Sequence, residues 1–281
     1  MIQYRGHKIL IDIGEAIQLQ MIINKIKFRG PLTILLTHLH SDHTLGLIGL
    51  LSTRCFYGID SPVRIIGPPW TSSFVFLQLL AYRFIPDYNI EVIETKGGVV
   101  ENNTDFFIES FPVNHVNQCV GYKFVTHTPL GKFSTERAEK LKVPKVMWNT
   151  LQRGTPVEIN RKKIYPSDIL MDTNVRPTKI VLTGDTTITD TVINNSSEAD
   201  LLIHDATYPP EEVERAKKYK HSTSSEAAYV AKRARVKKLY LTHISNIHRD
   251  LDYSLKEAKA IFSESYFAYD GLNIELPSHN F

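Results

Sequence analysis

The chain has 281 residues, of which 42% are hydrophobic and 22% charged, and its formal net charge is +3. These values are ordinary for a globular protein that buries a core without disulfides, and the mild charge says little about nucleic acid. Cys55 and Cys119 lack the spacing of a cysteine-based metal site. No apolar run approaches the roughly 18 residues of a membrane helix, and the N-terminus lacks the apolar core of a signal peptide. We therefore expect a soluble, cytoplasmic protein without a membrane partner.

Apolar periodicity predicts alternating strands and helices in the first half of the chain. Pro68-Pro69 ends one strand, and Gly97-Gly98 indicates a turn between two elements. The predicted strands cover residues 8–13, 32–36, 63–66, 105–113 and 121–125, and the predicted helices cover residues 15–27 and 72–84, with a further helix starting after Gly46.

The periodic pattern breaks down between residues 126 and 172. This stretch is rich in Lys, Arg, Pro, Gly and Thr, with Phe133, Trp148 and Tyr165 interleaved. We predict a single domain over residues 1–281, with an arm inserted at about 126–172 that contains some short helices.

Regular elements return after this stretch. Thr223 and Glu226 have the spacing of a capping box, which predicts a helix start immediately after His221. Another helix is predicted over residues 210–219, and strands over 179–182, 200–204 and 238–241.

The most informative stretch is Thr37-His38-Leu39-His40-Ser41-Asp42-His43, which follows a short apolar strand. Histidines two apart on an extended segment point to the same side, so His38 and His40 can bind one cation. Asp42 and His43 can then face a second cation. Imidazole and carboxylate ligands suit zinc or manganese. The alternative is a polar loop whose histidines occur by chance.

Further candidate ligands stand at the ends of other predicted strands. Taken alone, His115 is more typical of a core histidine, and Asp185 is more typical of a turn or a helix cap. His243 alone is likewise weak evidence for a metal ligand. Together with the first cluster they predict a dinuclear site. His38, His40 and His115 would bind one cation, Asp42, His43 and His243 the other, and Asp185 would bridge both.

These motifs resemble the metallo-β-lactamase superfamily of dinuclear hydrolases, and within it the ribonuclease Z family. The order and spacing of the candidate ligands match the superfamily. Narrower similarity lies in Asp12-Ile13-Gly14-Glu15-Ala16-Ile17-Gln18, Leu202-Ile203-His204-Asp205-Ala206-Thr207-Tyr208, His221-Ser222-Thr223 and Leu241-Thr242-His243-Ile244-Ser245.

The resemblance implies an α/β fold, the metallo-β-lactamase αββα sandwich of two mixed sheets between helices. It implies a zinc-dependent endoribonuclease that removes the 3′ trailer from precursor tRNA, leaving a 3′-hydroxyl on the tRNA and a 5′-phosphate on the trailer. Two Zn²⁺ per subunit are implied, with Mn²⁺ possible. The implied assembly is a homodimer in which the arm of one subunit serves the site of the other.

Three residues are candidates for catalytic roles. The resemblance makes Asp42 the group that accepts the proton of the nucleophile. His221 is the candidate general acid for the departing ribose oxygen, and Asp205 could favour its charged form. The positive end of the following helix opposes that charge. The alternative is that His221 only supports the helix start.

The chain departs from the family pattern at three places. Few residues precede Asp12, so the first strand and its loop are expected to be missing, which would leave a sheet edge unpaired. The arm lacks the Gly-Pro pair of the family, and Asp205 replaces the more usual glutamate and has a shorter reach.

Two other functions stay open. The chain could be another hydrolase of the same fold (a small-molecule phosphodiesterase, thioesterase or lactonase), or a catalytically inactive RNA-binding relative.

Overall fold

The computed structural model describes residues 1–127, 131–160, 162–171, 176–245 and 251–276. Residues 128–130, 161 and 172, which the predicted arm includes, lie outside these described residues. The chain forms two compact units, one of Met1–Val125 with Lys179–Ile274 and one of Thr126–Thr178 with Glu275–Phe281. The interpretation as one domain that carries an arm stays a prediction. None of the helices in the described ranges has the length and apolar composition needed to cross a membrane.

Strands and helices alternate through most of the chain. The strands are β1 (Ile2–Tyr4), β2 (His7–Ile11), β3 (Leu32–Leu35), β4 (Val63–Gly67), β5 (Ile90–Glu94), β6 (Gly98–Asn102), β7 (Phe106–Pro112), β8 (Val120–Thr126), β9 (Lys132–Phe133), β10 (Val157–Ile159), β11 (Lys162–Ile164), β12 (Leu170–Met171), β13 (Lys179–Leu182), β14 (Leu201–Asp205), β15 (Leu239–Thr242) and β16 (Ser265–Phe267). The helices are α1 (Ile17–Ile23), α2 (Ser41–Thr44), α3 (Leu47–Phe56), α4 (Thr71–Ala81), α5 (Thr135–Lys140), α6 (Trp148–Gln152), α7 (Pro166–Ile169), α8 (Asp190–Ser196), α9 (Val213–Tyr219), α10 (Ser224–Ala234) and α11 (Leu251–Ile261).

The first unit contains two mixed sheets. One sheet has the order β1-β2-β3-β4-β5, and it is parallel except for the antiparallel β1–β2 pair. The other has the order β16-β15-β14-β13-β8-β7-β6, in which β13 to β16 are parallel and β8 is antiparallel to β13. The parallel strands in both sheets end at edges from which loops project, and those edges carry the candidate site.

Alternation along the strands builds four layers. In β2, Ile9 packs between the sheets and Leu10 packs under the helices. In the same way, Leu35 of β3 contacts the inner core while its neighbour Ile34 faces the helical side. The inner core also contains Phe106, Ile108, Tyr122 and Phe124 from the second sheet. A third cluster joins the outer face of that sheet to α8, α10 and α11. This is the predicted αββα arrangement.

The N-terminus differs from the expectation of a missing strand. β1 pairs antiparallel with β2, with Ile2 opposite Ile9, around a turn at Arg5 and Gly6 that both have positive φ. A strand of only three residues gives a weak periodic signal, which is why the sequence did not predict β1. Its pairing means that the edge of β2 is covered.

The second unit has a small apolar core of its own. Two short antiparallel pairs, β9–β12 and β10–β11, accompany α5 to α7. Ala138, Val143, Leu151, Ile164 and Ile169 are buried together, and the Trp148 indole N–H donates to the Val143 carbonyl at 2.9 Å. The short helices predicted within the arm are therefore present among the described residues.

Candidate metal centre

The first histidine loop begins where β3 ends, and contacts between the sheets fix its start. The Tyr122 hydroxyl donates to the Leu36 carbonyl at 2.8 Å, and the backbone N–H of Val120 donates to the Thr37 carbonyl at 2.9 Å. The chain then turns into α2, a single helical turn that carries Asp42 and His43. Because both sheets hold this start, the side chains of the loop have a defined direction.

Asp185 lies at the centre of a cluster of imidazoles. Its Oδ2 atom is 3.4 Å from Nε2 of His43 and 3.4 Å from Nε2 of His243. It is also 3.7 Å from Nε2 of His38 and 3.7 Å from Nε2 of His115. The carboxylate is therefore placed between two groups of nitrogen atoms.

The two groups correspond to the two triads proposed from the sequence. His38, His40 and His115 offer ligand atoms within 4.8 Å of one another, as do Asp42, His43 and His243. The exposure of these side chains differs, since His38 is buried and the Asp42 side chain is 55% exposed. The fold thus brings together all seven candidate ligands, which the sequence spreads over residues 38 to 243.

The donor set fits divalent cations. The Nε2 atoms of His38 and His43 are buried, and neither has a hydrogen-bond partner among the described residues. A buried polar nitrogen without a partner is costly, and a metal ion would satisfy it. Nitrogen and carboxylate ligands without thiolates suit zinc or another first-row divalent ion.

The other ring nitrogen has a partner in four of the candidate ligand histidines. Such outer contacts fix the tautomer and the ring orientation of a metal-binding histidine. The pairs are His43 Nδ1 with Asp12 Oδ2 at 2.7 Å, His38 Nδ1 with Thr37 Oγ1 at 3.0 Å, His115 Nδ1 with the Lys220 carbonyl at 3.0 Å, and His243 Nδ1 with Thr207 Oγ1 at 2.7 Å.

Asp12 is a site residue to which sequence reasoning gave no role. It follows β2 with φ of 55°, and its carboxylate accepts from the backbone N–H and the hydroxyl of Thr37, both at 2.8 Å, as well as from His43. The signal was available, because Asp12 ends an apolar strand as His38, Asp185 and His243 do.

His221 lies beside the cluster and is paired with Asp205. Its Nδ1 atom is 2.9 Å from Asp205 Oδ2, which is fully buried, and 3.9 Å from Asp185 Oδ2. Its ring stacks on His243 with centroids 5.2 Å apart. Since Nδ1 donates to Asp205, Nε2 is the atom that His221 can present to a substrate. The aspartate, although shorter than the glutamate of the family pattern, reaches the histidine.

Burial and charge shift the pKa values in opposite directions within the cluster. Burial, together with the charge of His43, lowers the pKa of His38 to about 3. Burial also lowers the pKa of His43, but the hydrogen bond to Asp12 and the charges of Asp12 and Asp185 outweigh it and raise that pKa to about 10. For His221, the hydrogen bond to Asp205 outweighs burial and raises the pKa.

Left-handed backbone positions aim two of the side chains. His243 follows β15 with φ of 60°, which is uncommon for a residue other than glycine and typical of functional sites. Gly184, before Asp185, has φ of 61°, and a Cβ atom there would lie 2.7 Å from Cβ of Thr37. A glycine is therefore required where β13 delivers Asp185 to the first loop.

Relatives with similar sequences span nearly the whole chain. Ribonuclease Z of Methanosarcina acetivorans is 36% identical over 279 residues, which is 99% of this chain and 91% of that protein. The chain belongs to the ribonuclease Z family. Ribonuclease Z of Archaeoglobus fulgidus is 35% identical over 98% of this chain and 90% of that protein. Ribonuclease Z of Bacillus cereus is 32% identical over 96% and 89%, respectively. The resemblance noted from the motifs is confirmed.

Solved structures with lower identity share the fold of this ribonuclease Z family member. The human tRNase Z short form has a TM-score of 0.69 at 22% identity, covering 99% of this chain and 91% of that one. The metallo-β-lactamase fold protein YhfI from Bacillus subtilis has a TM-score of 0.65 at 20% identity, covering 96% and 87%. The predicted metallo-β-lactamase fold is confirmed. The family model described as Anti-Pycsar protein Apyc1 matches residues 1–84.

Proposed function

We propose that this ribonuclease Z family member is a zinc-dependent endoribonuclease that removes the 3′ trailer from precursor tRNA. The products would be a tRNA with a 3′-hydroxyl and a trailer with a 5′-phosphate. The observation that carries the proposal is the His221–Asp205 pair at 2.9 Å beside the cluster around Asp185, because it supplies a proton donor next to a candidate dinuclear centre.

Two zinc ions per subunit are part of the proposal. One ion would be held by His38, His40 and His115, and the other by Asp42, His43 and His243. Asp185 would contact both ions. Manganese is the alternative metal. When bound, the ions would supply Lewis-acid chemistry, which makes water a nucleophile at neutral pH and neutralises charge on phosphate oxygens.

The side chains around the ions would handle the protons. Asp42 is exposed enough to meet the attacking water and would accept its proton. His221 would donate a proton from Nε2 to the departing ribose oxygen, while Asp205 holds Nδ1 and stabilises the charged imidazole. The raised pKa of His221 keeps more of it protonated near neutral pH than a free histidine would be.

RNA binding is assigned to the arm. Lys, Arg and aromatic side chains suit contacts to phosphates and unstacked bases. Phe133 and Trp148, two of the three aromatic residues noted in this stretch, pack against each other with centroids 5.2 Å apart. Tyr165 is 48% exposed, with Lys163 Nζ 5.4 Å from its ring centroid, so it is the better candidate for a contact with RNA.

A homodimer completes the proposal. In that assembly the arm of one subunit would bring precursor tRNA to the metal centre of the other, as the family resemblance implies. Size determination in solution tests this part separately from catalysis. A cytoplasmic location stays a prediction.

Other functions on the same fold remain as alternatives. A small-molecule phosphodiesterase, thioesterase or lactonase would use the same metal centre without needing the arm. An inactive RNA-binding relative would bind RNA without metal. The ligand atoms gathered around Asp185 favour a metal enzyme over that relative.

The deciding experiment is incubation of the purified protein with a 3′-extended precursor tRNA and with the mature tRNA as control. We expect one cut near the discriminator base, loss of cleavage with a chelator and recovery with zinc. Mapping the ends should give a 3′-hydroxyl and a 5′-phosphate. Hydrolysis of small phosphodiesters without precursor cleavage would favour the other hydrolases. Absence of metal by elemental analysis would favour the inactive relative.

A further inference from the structure

One hydroxyl group contacts three functional side chains at once. Thr207 Oγ1 lies 2.6 Å from Asp205 Oδ1, 2.7 Å from His243 Nδ1 and 3.1 Å from His221 Nδ1. Thr207 is 8% exposed, so water has little access to compete for these contacts. The hydroxyl therefore stands between the proposed acid pair and a proposed metal ligand.

Proton counting decides the direction of each hydrogen bond. A threonine hydroxyl has one proton to donate and two lone pairs that accept. The Asp205 carboxylate receives donors from every side, including the backbone N–H groups of Thr186 at 3.0 Å and of Thr207 at 2.9 Å. It acts only as an acceptor, so the Thr207 proton goes to Asp205. His243 Nδ1 must then carry a proton and donate it to Thr207.

This direction has a consequence for the metal centre. With its proton on Nδ1 held by Thr207, the imidazole of His243 can offer Nε2 to a cation, which would take the place of the hydrogen bond that Nε2 donates to Asp42 Oδ2. That Nε2 atom is the one that lies 3.3 Å from Asp42 Oδ2 and 3.4 Å from Asp185 Oδ2. A single hydroxyl thus selects the tautomer in which His243 can bind a cation.

We propose that Thr207 is a positioning residue that links the metal ligand His243 to the acid pair of His221 and Asp205. The inference rests on the proposed function and names a residue that the reaction would require without touching the substrate. Loss of the hydroxyl would free the tautomer of His243 and, in the same step, remove a donor that orients the Asp205 carboxylate.

The local backbone explains why an aspartate serves at position 205. The N–H of Thr207 donates to Asp205 Oδ1, two residues earlier, which is an Asx turn. This turn holds Oδ1 on the Thr207 side and leaves Oδ2 for His221 at 2.9 Å. The short side chain and the threonine therefore act as one unit.

Thr207→Val is the informative variant, because it keeps the shape and removes the hydroxyl, and Thr207→Ser restores the hydroxyl. Thr71→Val is the matched control, since Thr71 is fully buried and its hydroxyl donates to the Pro68 carbonyl at 2.6 Å outside the site. Three quantities are measured. Zinc affinity is obtained by chelator competition, and kcat and KM are determined on precursor tRNA. Exchange of the His243 ring proton is followed by NMR on the zinc-loaded protein.

We expect Thr207→Val to weaken one of the two zinc equivalents by about 10-fold to 100-fold. We also expect a fall in kcat with KM nearly unchanged, and rapid exchange of the His243 Nδ1 proton, which exchanges slowly in the wild type. Thr207→Ser should recover all three quantities, and Thr71→Val should alter none of them.

Several results would overturn the proposal. Unchanged zinc affinity in Thr207→Val, or equal losses in the Ser and Val variants, would make the role structural. A fast-exchanging His243 Nδ1 proton in the wild type would refute it even if Thr207→Val did not fold. If the wild type does not cleave precursor tRNA, the proposed function fails, while zinc affinity and proton exchange still test the link between Thr207 and His243.

Discussion

Asp12 and His43 form the shortest contact between a carboxylate and a candidate ligand histidine in the described part of the centre, with Oδ2 and Nδ1 2.7 Å apart. The same carboxylate receives the backbone N–H and the hydroxyl of Thr37, so it holds the start of the histidine loop as well as one ring of the loop. Asp12 therefore determines both the orientation and the basicity of His43.

Asp12→Asn is expected to weaken metal binding by about 10-fold to 100-fold, because an amide oxygen is a weaker acceptor for the His43 ring proton. Chelator competition followed by elemental analysis measures this. Asp105→Asn is the matched control, since Asp105 also pairs with a histidine, His7, but lies outside the centre. Equal metal affinity in the two variants would contradict the role given to Asp12.

The raised pKa of His43 predicts a pH dependence of the metal-free protein. An unfolded histidine has a pKa near 6.5, whereas that of His43 in the fold is about 10. This group's stabilisation is complete below about pH 6.5 and is lost as the pH rises through about 10. His221 shifts in the same direction. Urea unfolding with a chelator should therefore show a free energy of unfolding that falls from about pH 7 to about pH 10.

Asp12→Asn should make that fall smaller, because it removes a cause of the raised pKa. A profile that rises over the same range, or one that Asp12→Asn leaves unaltered, would contradict the assignment.

Gly184→Ala tests the close approach of β13 to the first loop. Gly184 and Gly58 both have φ of 61°, but a Cβ at Gly58 meets no heavy atom of the described residues within 4 Å. The unfavourable backbone costs about 1 kcal/mol in either variant. The contact with Thr37 should lower the free energy of unfolding of Gly184→Ala by a further ~1–3 kcal/mol. Thermal unfolding of both variants measures the difference, and similar losses would mean that the loop moves away freely.

His221→Ala separates a proton donor from a ligand or a structural residue. We expect kcat for precursor tRNA to fall by about 10²-fold to 10⁴-fold, as for loss of a general acid. The zinc content should stay at the wild-type value, because Nδ1 of His221 is engaged by Asp205. Elemental analysis decides this, since a variant depleted of metal would show that His221 binds or supports the ions.

Removal of the arm is expected to affect large and small substrates differently. Thr126 and Thr178 are joined by two hydrogen bonds, of 3.0 and 2.8 Å, and their neighbours Val125 and Lys179 pair in register. A short Gly-Ser turn can therefore replace residues 127–177. Cleavage of precursor tRNA should fall far more than hydrolysis of bis(p-nitrophenyl) phosphate, and equal losses would argue against RNA binding by the arm.

Much of the centre was predictable because strand ends are visible in a sequence. Apolar runs locate β3 and β13, and the polar residue after each run is a candidate ligand. The strand over 179–182 has the predicted bounds, and the Thr223–Glu226 capping box starts α10 as expected. These features depend on local periodicity and local hydrogen bonds, which the sequence carries directly.

What the sequence did not reveal depends on contacts between distant segments. The first helix ends at Ile23 rather than near residue 27, because Lys25 adopts a positive φ. The elements α8, α11 and β16 were not predicted, since their stability comes from packing on the second sheet. Thr207 lies within one of the motifs that resemble the family, but its contact with His243, 36 residues later, exists only in the folded chain.

The candidate ligands come from both sheets. His38, His40, Asp42 and His43 follow β3 of the five-stranded sheet, whereas Asp185 and His243 follow β13 and β15 of the seven-stranded one. Bound cations would thus join the two sheets of the sandwich without a covalent bond between them. They would close a loop of about two hundred residues, much as a disulfide does. Loss of metal would then destabilise the fold as well as abolish activity, so a chain without zinc would be more susceptible to proteolysis.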